Sequence, residues 1–321
     1  MSTRTYYDPL HQSISLNSLI PEEKMVMELI DSSPFQRLRR IKQLGPAYLT
    51  FHGAESSRFT HSLGVFHLAR RAINHLLNVD SGLKEHKFIL YGAALLHDLG
   101  HGPLSHTSEE IFKIKHERWT GRLINSNQEI ATILNRYGKD NAKAISDLIQ
   151  SRKSPEKLIV SLISSQLDCD RLDYLMRDSY TTGTRYGQLD IDRIISAMTL
   201  APDGDLAIQP KGLMAVEHYL VIRNLMYRSV YNHRLNEVCN WLLEQIIKTA
   251  RKMGPKNVWA DENMSEWLWN HEKMSLESFL SNDDIVTGYH INKWQDSSSQ
   301  NLSNLCRRFI NRNLLKALNI S

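Results

Sequence analysis

The sequence predicts a mainly α-helical fold, and three observations support that prediction. Apolar residues recur at intervals of three and four through most of residues 1–253, which is the spacing of a buried helix face. Glycine and proline are few, 15 and 9 among 321 residues, so helices have few breaks. The strand signal that we identify lies in 191–209, where the turn sequence PDGD separates two short apolar runs and predicts a small β-hairpin.

Helical patterns follow one another along the chain. The pattern over 21–44 is expected to break near Ser32-Ser33-Pro34. The pattern over 85–96 is strongly apolar, so we expect this helix to be buried and to end before Gly100 and Gly102-Pro103. Thr181–Asp190 is predicted to be a loop. The predicted helices are 21–44, 60–77, 85–96, 105–114, 116–125, 127–136, 140–151, 155–166, 168–178 and 212–253.

The character of the chain changes after Gly254-Pro255. Residues 256–301 are polar and rich in Trp and Asn, and they end in the low-complexity run DSSSQN. A basic amphipathic helix is predicted at 302–318. We therefore predict one helical domain over 1–253 and a C-terminal helical appendage over 254–321.

Composition limits the class of protein. The hydrophobic share of 41% and the charged share of 23% are typical of a soluble globular chain. No run approaches the roughly 18 apolar residues of a membrane span, and the first residues lack the apolar core of a secretory signal. Three distant cysteines fit a reducing compartment, so we expect a cytoplasmic protein without a membrane partner. A net charge of +4 does not by itself indicate nucleic acid, and it suits polyanionic small molecules.

Histidines cluster in one part of the sequence. Eight of the 14 lie between residues 61 and 116, and His97 is followed directly by Asp98 after the apolar helix. A buried carboxylate beside an imidazole is costly unless a cation or hydrogen bonds compensate it. A divalent metal ion does so, with imidazole and carboxylate as mixed ligands. The pair therefore predicts a metal site.

Two further motifs extend this pattern. In RFTH, Arg58 and His61 are three residues apart on one face of a helix start, so His61 can bind a metal ion while Arg58 reaches an anion on it. Taken singly, such a histidine is more often an ordinary hydrogen-bonded residue, and an aspartate such as Asp168 is often a helix cap. The motif DCDRLDYLMRD places on one side of a helix Asp170, Tyr174, Arg177 and Asp178.

The ordered set His61, His97-Asp98 and Asp170 resembles the HD superfamily of phosphohydrolases. Four segments resemble its deoxynucleoside triphosphate triphosphohydrolase branch, which includes the sterile-alpha-motif and HD-domain enzyme and bacterial relatives. The resemblance covers about 5–250, and the last 70 residues show none. The segments are FQRLRRIKQLG (35–45), RFTHSLGV (58–65), LLHDLGHGPLSH (95–106) and DCDRLDYLMRD (168–178).

This resemblance implies an HD-domain helical fold and a single divalent metal ion, which could be manganese, iron, zinc, nickel or magnesium. It also implies hydrolysis of deoxynucleoside triphosphates (dNTPs) to a deoxynucleoside and triphosphate. The implied metal ligands are His61, His97, Asp98 and Asp170.

The resemblance also implies catalytic and substrate residues. His116 would donate a proton to the leaving oxygen or contact a phosphate, oriented by Glu109 or His106, and Arg58 would act beside them. Tyr231 would pack on the sugar and Tyr174 would exclude a 2′-hydroxyl, although Tyr231 and Tyr227 also fit core packing. The implied substrate residues are Gln43, Leu44, Arg58, His101, Arg171, Tyr174, Asp178, Arg223, Tyr227 and Tyr231.

Regulation by a second nucleotide is a further implication. Asp31, Gln36 and Arg39 match residues of a site where some relatives bind an activating nucleotide between subunits. The same segment is also a plain amphipathic helix. We expect a dNTP substrate, an activating nucleotide and a homo-oligomer, dimer or tetramer.

Two alternatives remain open. The metal site would serve equally for another nucleotide or phosphate ester, because Arg171 and Tyr227 depart from the lysine and histidine of close relatives. A nucleotide-sensing or nucleic-acid-binding protein is the second alternative. Its support is a basic helix, which is usually a solvated face, with Arg307, Arg308, Arg312 and Lys316.

Overall fold

The computed structural model describes residues 2–113, 115–154 and 156–316, and it confirms the mainly helical fold. Within those ranges there are seventeen α-helices. They are α1 (Pro21–Asp31), α2 (Ser33–Arg37), α3 (Arg58–Leu76), α4 (Lys87–Leu96), α5 (His106–Phe112), α6 (His116–Ser126), α7 (Gln128–Tyr137), α8 (Asn141–Ser151), α9 (Lys157–Ile163), α10 (Cys169–Thr182), α11 (Ile191–Ala197), α12 (Leu213–Met226), α13 (Arg234–Met253), α14 (Glu262–Trp269), α15 (Leu276–Leu280), α16 (Asp284–Lys293) and α17 (Gln300–Ile310).

Two small antiparallel hairpins accompany the helices. In the first, β1 (Thr3–Asp8) pairs with β2 (Gln12–Asn17), and Asp8 lies opposite Gln12 at the turn. The sequence did not predict this hairpin. In the second, β3 (Met198–Leu200) pairs with β4 (Leu206–Ile208), which confirms the hairpin expected in 191–209, although the first apolar run there forms α11.

Helices α3, α4 and α10 form the centre of the fold. Ser57 caps α3 by accepting a hydrogen bond from the Thr60 amide, and the ring of Phe66 packs edge-on against Tyr91 of α4. Helix α10 crosses α3 closely at Gly64, where a Cβ atom would overlap the carboxylate of Asp173. The three helices therefore converge at the residues implied to bind metal.

Several predicted boundaries were wrong. The helix expected over 21–44 gives way after Arg37 to a 3-10 turn ending at Arg40, so Gln43 and Leu44 lie outside a regular helix. Helix α10 runs to Thr182, beyond the predicted loop start, and ends at Gly183 in the left-handed conformation. The helix expected over 212–253 is two helices joined by a π-helical turn, Tyr227–Tyr231. Residues 114 and 155, at the edges of two predicted helices, lie outside the described residues.

The C-terminal segment is helical and packs onto the rest. Polar residues 256–301 contain α14, α15 and α16, and α17 buries Leu302, Cys306 and Phe309 against α13. The helix predicted over 302–318 thus ends at Ile310, and residues 317 and 318 lie outside the described residues. The domain boundary at residue 253 stays a prediction.

Among the residues that the structure describes, none of the helices combines the length and the apolar character that crossing a bilayer requires.

Candidate active site

His61 of α3 and His97, which follows α4, face each other through their Nε2 atoms, which are 3.3 Å apart. The Nδ1 of His97 donates to the carbonyl oxygen of Ala94 at 2.9 Å, and the Nδ1 of His61 lies 2.7 Å from a carboxylate oxygen of Asp173. These bonds place an N–H at Nδ1 of each ring, so each Nε2 can bind a metal ion when it carries no proton, as metal-binding histidines do.

Two carboxylates complete this group. Asp170 Oδ1 lies 3.0 Å from His61 Nε2 and 3.8 Å from His97 Nε2. Asp98 Oδ2 lies 3.7 Å from His61 Nε2, and its Oδ1 lies 3.4 Å from His97 Nε2. Donor atoms that share one ion at about 2.1 Å are roughly 3–4 Å apart, so His61, His97 and Asp170 can hold a single metal ion, and Asp98 lies beside them. Two imidazoles and two carboxylates suit zinc, manganese, iron or nickel.

The charge of the group also favours a cation. Burial lowers the pKa of His61, but hydrogen bonds with Asp170 and Asp173 outweigh it and raise that pKa to about 10. Burial alone would raise the pKa of Asp98, yet Arg58 and the neighbouring histidines hold it well below its usual range. His61 therefore retains a proton among ionised carboxylates, and a metal ion would replace that proton.

Arg58 is tied to the protein itself. Its Nη1 donates to Asp98 Oδ2 at 2.5 Å, its Nε to Ser105 Oγ at 2.8 Å, and its Nη2 to the carbonyl of Gln43 at 3.3 Å. The side chain is buried. The RFTH motif predicts that Arg58 reaches an anionic ligand, whereas in the structure Arg58 orients Asp98. An anion would have to compete with these three hydrogen bonds.

Asp173 is a central residue that the sequence analysis did not select. Its buried carboxylate accepts hydrogen bonds from His61 Nδ1, from His11 Nε2 at 2.6 Å and from Arg177 Nε at 2.7 Å. Arg177 in turn donates to Asp8 at 2.8 Å. The position of Asp173, three residues after Asp170 on the same helix, was the available signal. His11 and Asp8 arrive through the unpredicted first hairpin.

Glu109 is the centre of a second group beside the first. Its Oε1 lies 2.7 Å from His116 Nδ1, 3.1 Å from His106 Nδ1 and 3.4 Å from His101 Nδ1. Although burial lowers the pKa of His116, the hydrogen bond with Glu109 raises it. Burial and Arg58 together hold the pKa of His101 well below its usual range. Two neighbouring imidazoles therefore have pKa values shifted in opposite directions.

His101 connects the two groups. Its Nε2 lies 3.2 Å from Asp98 Oδ1, on the side away from Glu109. The four residues His101, His106, Glu109 and His116 also place their donor atoms close enough together to hold a metal ion. The catalytic residues implied by the resemblance thus lie next to the implied metal ligands.

A cleft of about 170 Å³ opens beside these groups. Gln43 Oε1 and Asn236 Oδ1 are buried at it, and neither has a hydrogen-bond partner among the described residues. Asn236 was not selected from the sequence. Its Nδ2 donates to the Val230 carbonyl at 2.8 Å, which fixes the amide orientation. The residues that line the cleft are Gln43, Leu44, Gly45, Ala47, Leu104, Ser105, His106, Thr107, Glu110, Tyr231, Asn236 and Asn240.

The π-helical turn Tyr227–Tyr231 forms an aromatic wall. Tyr231 Oη donates to Asp178 Oδ2 at 2.9 Å, and its ring meets Tyr174 and Tyr227 edge-on, with centroids 5.9 and 5.1 Å away. Burial raises the pKa of Asp178 to about 7. Single π-helical turns are frequent at functional sites. The structure thus brings together the implied sugar-binding residues.

The other predicted residues are placed as follows. Arg171 Nε donates to the Ser165 carbonyl at 2.9 Å, and Arg223 Nη1 donates to Gln166 Oε1 at 2.8 Å. Both cations are therefore partly engaged by the 165–166 turn.

The three residues implied to bind an activating nucleotide lie on the α1–α2 corner. Asp31 pairs with Arg4 at 2.7 Å, and Gln36 Nε2 donates to the Ile30 carbonyl. Arg39 Nε donates to Gln36 Oε1 at 2.8 Å and its guanidinium lies over the Phe59 ring. The residues are adjacent, and their role stays a prediction.

Comparison with known proteins gives a consistent picture. Residues 58–178 match the HD domain and residues 189–320 match the HD associated region. The uncharacterised protein YwfO of Bacillus subtilis is 38% identical over 98% of this chain and 71% of its own length. A crystal structure of a phosphohydrolase from Bacteroides thetaiotaomicron has a TM-score of 0.86 and 30% identity, covering 98% of this chain and 78% of that one.

A more distant relative has a more specific name. It is the deoxynucleoside triphosphate triphosphohydrolase SAMHD1 homolog of Dictyostelium discoideum, 32% identical over 70% of this chain. The match spans 46% of that relative.

Proposed function

This chain belongs to the HD-domain phosphohydrolase family, and on that basis we propose that it hydrolyses dNTPs to a deoxynucleoside and triphosphate. The observation that carries the proposal is the position of the His116–Glu109 pair beside the group formed by His61, His97, Asp98 and Asp170. The name of the Dictyostelium relative supports the choice of substrate.

A divalent ion is the proposed cofactor, and the donor set fits it. His61, His97, Asp98 and Asp170 would hold the ion, while Arg58 and Asp173 orient its ligands from behind. When bound, such an ion supplies Lewis acidity toward a phosphoryl oxygen and a lowered pKa for a coordinated water.

His116 is the proposed proton donor. Its Nδ1 is engaged by Glu109, so the proton available to a leaving oxygen is on Nε2. The raised pKa of His116 keeps that proton in place to higher pH, as a general acid requires. Loss of the proton to the 5′-oxygen would release the nucleoside.

Unpartnered acceptors support a ligand with hydroxyl groups. Gln43 Oε1, Asp178 Oδ1 and Asn236 Oδ1 are buried without hydrogen-bond partners among the described residues. Buried polar atoms in native proteins normally have partners. Sugar hydroxyls or base amines would supply the missing donors, and the rings of Tyr174 and Tyr231 would pack on a deoxyribose.

A second candidate keeps the same chemistry but takes a smaller phosphate ester. The bonds of Arg171 and Arg223 to the 165–166 turn favour it, because those cations are only partly available to a polyphosphate chain. Activation by a nucleotide at Asp31, Gln36 and Arg39, and assembly as a homo-oligomer, remain part of the dNTPase proposal. Rates of dTTP hydrolysis measured with and without dGTP would test the activation. Identical rates at all ratios of dGTP to dTTP would contradict it.

The decisive experiment incubates the protein with dNTP and NTP panels plus Mn²⁺ or Mg²⁺ and identifies products by mass spectrometry. Triphosphate from dNTPs alone supports the proposal, and inorganic phosphate or activity confined to monoesters favours the second candidate. His97→Ala and Asp98→Ala should abolish turnover. His218→Ala, a change at an exposed histidine on α12, is the matched control and should retain it. Activity in either ligand variant would overturn the metal site.

A further inference from the structure

Three consecutive residues of the C-terminal segment contact the active-site region. The carbonyl of Asn282 accepts from Arg37 Nε at 2.9 Å, while Nη1 of the same guanidinium donates to the His101 carbonyl at 2.8 Å. Asp283 pairs with Arg40, and Asp284 bonds two backbone amides. Residues 282–284 therefore form a clamp on segments more than 170 positions away.

Asp284 joins the two sides of the cleft directly. Its Oδ1 accepts from the Leu104 amide at 2.6 Å, and its Oδ2 accepts from the Lys42 amide at 2.9 Å. Leu104 precedes Ser105 and His106 on one wall, and Lys42 precedes Gln43 on the other. One carboxylate thus bonds both walls of the cleft.

The turn held by Asp284 has an unfavourable backbone conformation. Leu104 and Ser105 both have positive φ, 62° and 55°, a backbone conformation that is unfavourable for residues other than glycine. Such a turn persists only where surrounding bonds hold it. The bond to the Leu104 amide supplies one of them.

The same turn leads to the proposed metal site. Ser105 Oγ donates to the Lys42 carbonyl at 2.5 Å and accepts from Arg58 Nε. Arg58 in turn holds Asp98. A change at the Leu104–Ser105 turn would therefore displace the guanidinium that orients a proposed ligand.

Helix capping does not account for Asp284. The cap of α16 is Asp283, whose Oδ1 accepts from the amides of Ile285 and Val286 at 3.0 Å each. Asp284 is the first residue inside the helix, and its carboxylate is turned away from the helix toward Lys42 and Leu104. The helix would therefore remain capped without this side chain.

We propose that Asp284 is a positioning residue for the hydrolysis: its carboxylate fixes the Lys42–Leu44 wall against the Leu104–His106 wall, so that His106 and the Arg58–Asp98 pair keep their reactive geometry. This role rests on the proposed function.

The test compares Asp284→Asn and Asp284→Ala with Asp261→Asn, a substitution at the cap of α14 in the same segment. The asparagine variant keeps one acceptor and loses the other, so hydrogen exchange at the Lys42 or Leu104 amide should become at least roughly tenfold faster. We expect kcat to fall roughly 10- to 100-fold, with KM within about threefold of wild type. Asp261→Asn should change none of these values.

Two results would overturn the role. One is unchanged exchange at both amides in Asp284→Asn, and the other is faster exchange with a kcat within about twofold of wild type. If Asp284→Ala does not fold, the isosteric asparagine variant still decides. A wild-type protein inactive on every phosphorylated substrate would overturn the proposed function and this role with it, whereas an active wild type with an unimpaired Asp284→Asn overturns the role alone.

Discussion

His101 stacks on His116, with ring centroids 3.9 Å apart and an interplanar angle of 18°. Burial and Arg58 lower the pKa of His101, whereas hydrogen bonding to Glu109 outweighs burial and raises the pKa of His116. The stacked His101 ring on one face and the Glu109 carboxylate at Nδ1 restrict the orientation of His116. This contact connects the proposed proton donor to Asp98, which lies 3.2 Å from His101.

The first prediction concerns His116 and its partner. His116→Ala should lower kcat by roughly 10²- to 10⁴-fold. Activity that needs protonated His116 falls as pH rises through its raised pKa. Glu109→Gln removes the bond that raises this pKa, so the alkaline limb of the kcat profile should move to lower pH. His218→Ala, at an exposed histidine on α12, serves as the control and should leave that limb in place. An unmoved limb in Glu109→Gln would contradict the assignment.

The second prediction concerns the carboxylate behind the metal ligand. Asp173→Asn should weaken Mn²⁺ binding about 10- to 100-fold, because His61 loses the partner that orients its ring. Calorimetric titration of chelator-treated protein measures this. Asp192→Asn, an exposed aspartate paired with Arg71, is the matched control. Equal affinities in the two variants would exclude Asp173 from the metal site.

The third prediction uses two helical glycines. Gly64→Ala should destabilise the protein by about 1–3 kcal/mol, because its Cβ would overlap the Asp173 carboxylate. Gly288→Ala has open space around the new methyl group and should be stabilising by up to about 1 kcal/mol. Urea unfolding of both variants measures the difference. Equal free energies of unfolding would show that α3 and α10 can move apart at no cost.

The fourth prediction concerns Asp178, whose pKa burial raises from its usual 3.8 to about 7. A carboxyl group with a raised folded-state pKa destabilises the fold as pH rises above 3.8, with the full effect above about 7. In metal-free protein, Asp178→Asn should therefore gain roughly 2–4 kcal/mol over wild type between pH 4 and pH 8. Asp192→Asn should gain nothing. A pH-independent difference would show that Asp178 is not buried in its neutral form.

Motifs within short segments were sufficient to select the proposed metal ligands and the proposed catalytic residues. His61, His97-Asp98 and Asp170 lie at the ends of predicted helices. Predicting where those helices begin and end therefore nearly fixes where these side chains lie. Glu109 is seven residues before His116, and both belong to helices that the apolar pattern predicts.

Residues that depend on distant pairing could not be found in this way. His11 reaches Asp173 across 162 positions through a hairpin turn whose Gln12 has a positive φ of 61°, and no Gly or Asn marks that turn. Asn236 depends on a π-helical turn that the helical periodicity of 212–253 conceals. Asp284 lies in a polar segment whose short helices carry too few apolar residues for a periodic signal.

The guanidinium of Arg37 joins carbonyl groups that lie 245 and 64 positions away in the sequence. During synthesis the HD motif leaves the ribosome long before residues 282–284 do, and domains form as their segments emerge. Helices α3, α4 and α10 can associate early, but the cleft walls lack their clamp until residues 282–284 arrive. A growing chain would therefore bring its proposed metal ligands together before the two walls of its cleft are joined.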